Sequence, residues 1–145
     1  MVAPSIRKRR PIPYSDEQLE GGRGILRVWS GAVTARDVIA ANADSFARED
    51  WTKVEYVIAD FTGATTVQAT ADEIRQISFA EVRHAMSFPH LVIAVVAPTD
   101  IIFGLARMWQ VFAGATGWTL RVCRSRDEAE GWVRVLRSGH PQTPP

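Results

Sequence analysis

Between Val54 and Glu73 the chain passes from an apolar strand, Val54-Glu55-Tyr56-Val57-Ile58-Ala59-Asp60-Phe61, into a hydroxyl-rich loop and then a capped helix. This order brings Asp60, Thr62, Thr65, Thr66 and Thr70 to the rim where an open α/β sheet usually meets its ligand or partner. Hydroxyls beside a helix start suit a partner backbone, a small ligand, or a phosphate carried on a threonine, because the free amides and the helix dipole favour an anion there. The same residue types also serve local needs: a turn whose hydroxyls satisfy nearby amides, Asp60 bonded to the loop, and Thr70 as a plain N-cap. Thr99 and Asp100 reach the same rim by topology, with Asp100 expected to cap the helix that follows. Asp60 and Asp100 are a nominal carboxylate pair for acid–base work, yet nothing in the sequence supplies a geometry or a substrate, so no enzymatic activity is expected.

Other reactive types are sparse or badly spaced. His84, His90 and His140 have no ligand spacing, so no metal is expected. Cys123 is the single cysteine, which precludes an internal disulfide and reads as a small buried residue compatible with a reducing compartment. Gly21, Gly22 and Gly24 precede a strand, as in a hairpin turn, whereas a dinucleotide loop follows one. The five tryptophans are scattered over separate elements, with Trp109 and Trp132 on core stripes, and form no stacking platform for bases. No cofactor is expected.

The chain has 145 residues, enough for one domain with a sizeable core. Seventeen basic residues face sixteen acidic ones, a net charge of +1 that leaves no electrostatic footprint for nucleic acid. The exception is the run Arg7-Lys8-Arg9-Arg10, which suits an edge strand or solvated arm and, less simply, phosphates or an anionic membrane surface. No apolar run approaches the ~20 residues that span a bilayer, and no signal-peptide core follows the basic start. A cytoplasmic location is the expectation.

The elements that must position the rim can be read in order. Ile12–Gln18 is expected to pair with Ile25–Trp29 across the Glu20-Gly21-Gly22-Arg23-Gly24 turn, with Pro11 and Pro13 confining it to an edge. Ser30-Gly31 stops the second strand, and Thr34 caps a helix in a box with Asp37. After strand 54–61, Thr70 and Glu73 form a second capping box, opening a helix with Ile74, Ile77, Val82 and Ala85 on one face. The unbroken apolar run 91–97 has the character of a strand covered on both sides of a parallel sheet. A third helix carries Ile101, Ile102, Leu105, Met108, Trp109 and Phe112 as its core stripe, leaving Phe103, Arg107 and Val111 as a surface strip spaced by four. Strand 119–124 and a helix burying Ala129, Trp132, Val133 and Leu136 complete the pattern. The expectation is an α/β domain over 12–137, with a mixed, mostly parallel sheet, an N-terminal β-hairpin and four helices. It is flanked by a basic arm (1–11) and a Pro-rich disordered tail (138–145).

The run Val95-Val96-Ala97-Pro98-Thr99-Asp100-Ile101-Ile102-Phe103-Gly104-Leu105-Ala106-Arg107-Met108-Trp109, continued by Arg121-Val122-Cys123-Arg124 and Ser125-Arg126-Asp127-Glu128-Ala129-Glu130-Gly131-Trp132, resembles the STAS-type domains, the anti-sigma-factor antagonist (SpoIIAA-like) group, and within it the uncharacterised bacterial members. Asp60 and Ser30-Gly31 before Thr34 fit the same pattern, over about 24–136. The resemblance implies a regulatory module that acts by binding another protein. Regulated members carry an Asp-Ser-Ser-Gly-like phosphorylation motif at the second helix, where this chain has Gln68-Ala69-Thr70-Ala71, without the acidic residue or the glycine. STAS-like domains also resemble the CRAL-TRIO lipid-binding domains, which implies a carrier of a lipid or small molecule as the alternative. The leading expectation is a non-catalytic module that meets an unidentified protein partner, or a second copy of itself, through Asp60–Thr70, Thr99, Asp100, Phe103 and Arg107.

Overall fold

The structure, a computed structural model, describes residues 11–139. The basic run Arg7–Arg10, nearly all of the expected N-terminal arm and the tail from His140 onward lie outside the described residues. Five strands form one sheet: β1 (Tyr14–Leu19), β2 (Gly24–Thr34), β3 (Tyr56–Gln68), β4 (Val92–Val96) and β5 (Thr119–Cys123). They lie side by side in chain order, β1 antiparallel to β2 and the rest parallel. The helices are α1 (Ala35–Phe46), α2 (Ala71–His84), α3 (Asp100–Ala113) and α4 (Arg126–Arg137). The expected α/β class, with its mostly parallel sheet, opening hairpin and four helices, is what the chain adopts.

Because β2, β3, β4 and β5 succeed one another in one direction, three right-handed crossovers set their helices on one face. Accordingly α1, α2 and α3 share a core with Ile25, Val57, Ile93, Val95 and Val122, whereas α4 covers the opposite face through Ala129 and Val133 against Leu26, Ile58, Ala94, Val96 and Cys123. The alternation of neighbouring residues between these two clusters is the period of two of a strand. It explains why β4 reads as continuously apolar.

The hairpin register pairs Tyr14 with Trp29 and Leu19 with Gly24. The turn is left-handed at Glu20, Gly21 and Gly22, and glycine tolerates that backbone without a Cβ penalty. Gly24 has a different reason: a Cβ there would overlap the Tyr56 ring, which lies buried on the neighbouring strand.

Two expectations need correction. Ser30-Gly31 does not stop the second strand, and Thr62, Thr65 and Thr66 do not lie in a loop. β2 and β3 run on together as a parallel ribbon to Thr34 and Gln68, while β4 pairs with β3 only as far as Asp60. The register slips between Val28 and Ser30 and again between Gly31 and Ala32, each time accommodating an extra residue on β3. Bulges of this kind break the alternation of a strand. Phe61, Ala64 and Val67, three residues apart, therefore all turn toward the α1–α3 side, and the threonines between them are exposed.

Candidate functional site

The rim residues are present where the topology puts them, but most are engaged in local structure. Asp60 is 1 % exposed; its Oδ1 accepts from the Thr62 amide and hydroxyl, and its Oδ2 from Arg126 Nε at 2.8 Å. Burial pushes the Asp60 carboxyl up, but Thr62 and Arg126 together outweigh it and hold the group below its ordinary value. Thr70 caps α2 in a reciprocal box with Glu73, as Thr34 does for α1 with Asp37. Thr99, not Asp100, caps α3, by accepting from the Ile102 amide. Asp100 is the first residue inside that helix and pairs with Arg124 at 2.9 Å. Asp60 and Asp100 thus each bind a different arginine, and neither pairs with the other.

Phe103 is half-buried beneath the Arg124 guanidinium, which sits 4.0 Å from its ring centre. Arg107 is exposed, and so are Ile101 and Val111, each 74 % open on the same helix. Ile101 therefore leaves the expected core stripe of α3, which is carried by Ile102, Ala106, Trp109 and Ala113. Thr65 and Thr66 stand exposed on the β3 extension. Among the described residues, no group of three or more His, Cys, Asp or Glu is placed to hold a metal ion. No helix among them is long and apolar enough to cross a membrane.

The feature that rim reasoning overlooked lies beneath the three helices. A cavity of about 120 Å³ runs between the sheet and α1, α2 and α3. Its wall is almost wholly apolar, with Val57, Ile93 and Val95 below, and Ile74, Ile77 and Trp109 above. Val38, Phe61, Val67 and Ala69, all half-buried, mark where it approaches the surface between α1 and the β3 extension.

Two ionisable side chains stand in this wall, Arg27 and Glu81. Arg27, 4 % exposed, is already matched: it donates to both oxygens of Asp16 at 2.8 Å and to Ser45 Oγ at 2.6 Å. Its guanidinium also lies 4.6 Å from the Tyr14 ring centre and 5.4 Å from that of Trp51. Glu81, also 4 % exposed, accepts one hydrogen bond, from Trp109 Nε1 at 2.7 Å on Oε1. No occluded side-chain polar atom among the described residues lacks a partner, so the second carboxyl oxygen of this cavity-lining residue is not fully occluded. Burial raises the Glu81 carboxyl to about 7, with the Trp109 donor working weakly the other way.

A signal for Glu81 exists in the sequence. Ile74, Ile77, Glu81 and Ala85 recur at helical spacing and are all buried, so the carboxyl interrupts an apolar stripe. A charged residue on such a stripe is rarely fully buried without a partner. Ser78, beside it, satisfies its hydroxyl on the Ile74 carbonyl.

No protein-family model matches the chain, no curated protein matches it, and no solved structure matches it.

Proposed function

We propose that this protein is a non-catalytic binding module whose ligand, a small and largely apolar molecule, occupies the cavity beneath α1–α3. The supporting observation is a ~120 Å³ space with largely apolar walls, in which the buried Glu81 carboxyl has one hydrogen-bond donor, the Trp109 indole. Close-packed interiors rarely leave such a void, and an apolar cavity of ~150 Å³ suffices for benzene. Ligand pockets for larger molecules begin near ~300 Å³, which puts a full acyl lipid outside the range of this one. The carrier alternative is thus favoured in a restricted form, with a ring-sized ligand. The STAS-like resemblance supports the broader idea of a domain that binds rather than reacts.

Toluene is expected to bind the wild-type chain with amide chemical-shift changes concentrated on residues lining the cavity, such as Ile77, Val95 and Ala106. Ala106→Leu, which fills the space, is expected to abolish those shifts while keeping the fold. Toluene shifts that persist unchanged in the filled variant would remove the cavity from consideration.

A second reading, contact with a protein, is favoured by the exposed strip Ile101, Arg107 and Val111 on α3. On this reading the wild-type chain sediments as a dimer that I101E/V111E converts to monomer. A wild-type monomer would eliminate self-association through this strip.

A further inference from the structure

Glu81 makes the cavity chemically asymmetric. Arg27 is neutralised in place by Asp16, whereas the Glu81 carboxyl, on the cavity wall, meets one neutral donor, the Trp109 indole, and has a second oxygen that is not fully occluded. Apart from Arg27, the side chains around that space carry no opposing charge; α1 contributes Asn42, Ser45 and Phe46. The sheet contributes Ala59, Ile93 and Val95; α3 contributes Leu105, Ala106 and Trp109. On α2 the titratable neighbours that follow in sequence are Arg83, which is exposed, and His84, whose ring stacks on Phe46 of α1 at 4.6 Å between centroids. Arg107 of α3 is exposed to solvent.

We propose that the cavity selects a small apolar amine, its ammonium bound to the open oxygen of Glu81 and its ring-sized apolar body held by Ile74, Ile77 and Trp109. This deepens the cavity-binding reading and rests on it. A neutral apolar ligand of the same shape would leave the carboxyl unmatched. An anion would meet the Glu81 charge with no free cation on the wall to offset it. An ammonium supplies hydrogen-bond donors and a compensating charge at one point, and charge-assisted bonds are the stronger kind. Above about pH 7 the cost of burying the charged carboxylate has already been incurred in folding, so on binding it is the ammonium that has to shed water.

Binding also has a definite proton balance. Below about pH 7 the carboxyl is protonated, and capture of an ammonium releases that proton to solvent. Amine affinity should therefore rise as pH increases from 6 to 8, while toluene affinity stays level.

The test compares benzylamine, benzyl alcohol and toluene, by calorimetry and amide shifts, on wild-type protein and Glu81→Gln at pH 6 and 8. Benzylamine is expected to bind at least about tenfold more tightly than toluene at pH 8, and the advantage should disappear in E81Q. In the wild type alone, proton release at pH 6 and the rise in benzylamine affinity toward pH 8 provide a readout independent of the variant. Toluene and benzyl alcohol binding as tightly as benzylamine, with no pH dependence, would overturn the amine assignment and leave the cavity reading standing. Failure of all three to bind would overturn both.

Discussion

Replacing Asp16 with alanine is expected to destabilise the fold by about 3–5 kcal/mol, the usual consequence of leaving a buried charge without its partner. Arg27 is on β2 with its side chain 4 % exposed, between the Tyr14 and Trp51 rings. Asp16, opposite it on β1, takes two of its three hydrogen bonds. Without Asp16 the guanidinium keeps only the Ser45 hydroxyl. The two partners are unequal, because the Asp16 side chain is 20 % exposed and can recover water. Arg27→Met should therefore cost less than Asp16→Ala, and the double variant should also be more stable than D16A alone. Urea unfolding of the three variants measures this order. An Asp16→Ala cost under about 1 kcal/mol would show that the pair does not hold the hairpin to the sheet.

Glu81→Gln is expected to stabilise the protein at pH 8, and by more than any surface change would. The Glu81 carboxyl titrates near 7 in the folded chain against an ordinary 4.5, a difference equivalent to ~3 kcal/mol. The folded protein thus holds a proton that the unfolded chain has already lost between those values. Stability from this source is complete below pH 4.5, falls as pH rises through the window, and is lost above about pH 7. Glutamine keeps the acceptor for Trp109 Nε1 and carries no charge, so its profile should lack this fall. The gap between variant and wild type should open by ~3 kcal/mol from pH 4 to pH 8. Parallel profiles would mean that Glu81 reaches water more freely than its burial implies. The same carboxyl that weakens the empty protein is the one assigned to hold a ligand cation, a common relation between strain and function.

The rim shows how local chemistry can imitate a site. Thr62, Thr70 and Thr99 have the residue types of a ligand-binding edge, yet Thr62 serves Asp60 and the other two cap helices. Asp60 could be placed at a strand end from its position alone. Its partner Arg126 lies far along the chain, and their contact at 2.7 Å depends on β5 and α4 closing over the end of β3. Helix starts were legible because a capping box is complete within four residues, and Thr34–Asp37 and Thr70–Glu73 show it.

The β3 extension was not legible for a related reason. Strand periodicity identifies a strand only while the register is uniform, and two bulges against β2 replace alternation by a spacing of three at Phe61, Ala64 and Val67. Thr-Gly-Ala-Thr-Thr then carries the composition of a turn.

The sequence by itself determined the α/β class, the hairpin, the capping boxes of α1 and α2 and the order of strands and helices, because each is written in interactions between residues close along the chain. Only the tertiary structure decided which face each helix covers, how far β2 and β3 run together, and which polar groups become enclosed. Those depend on strand order and on packing between distant segments. The cavity is the clearest case. Arg27 and Glu81 have little in common along the chain, and they share one apolar wall because three crossovers set α1, α2 and α3 on the same side of the sheet.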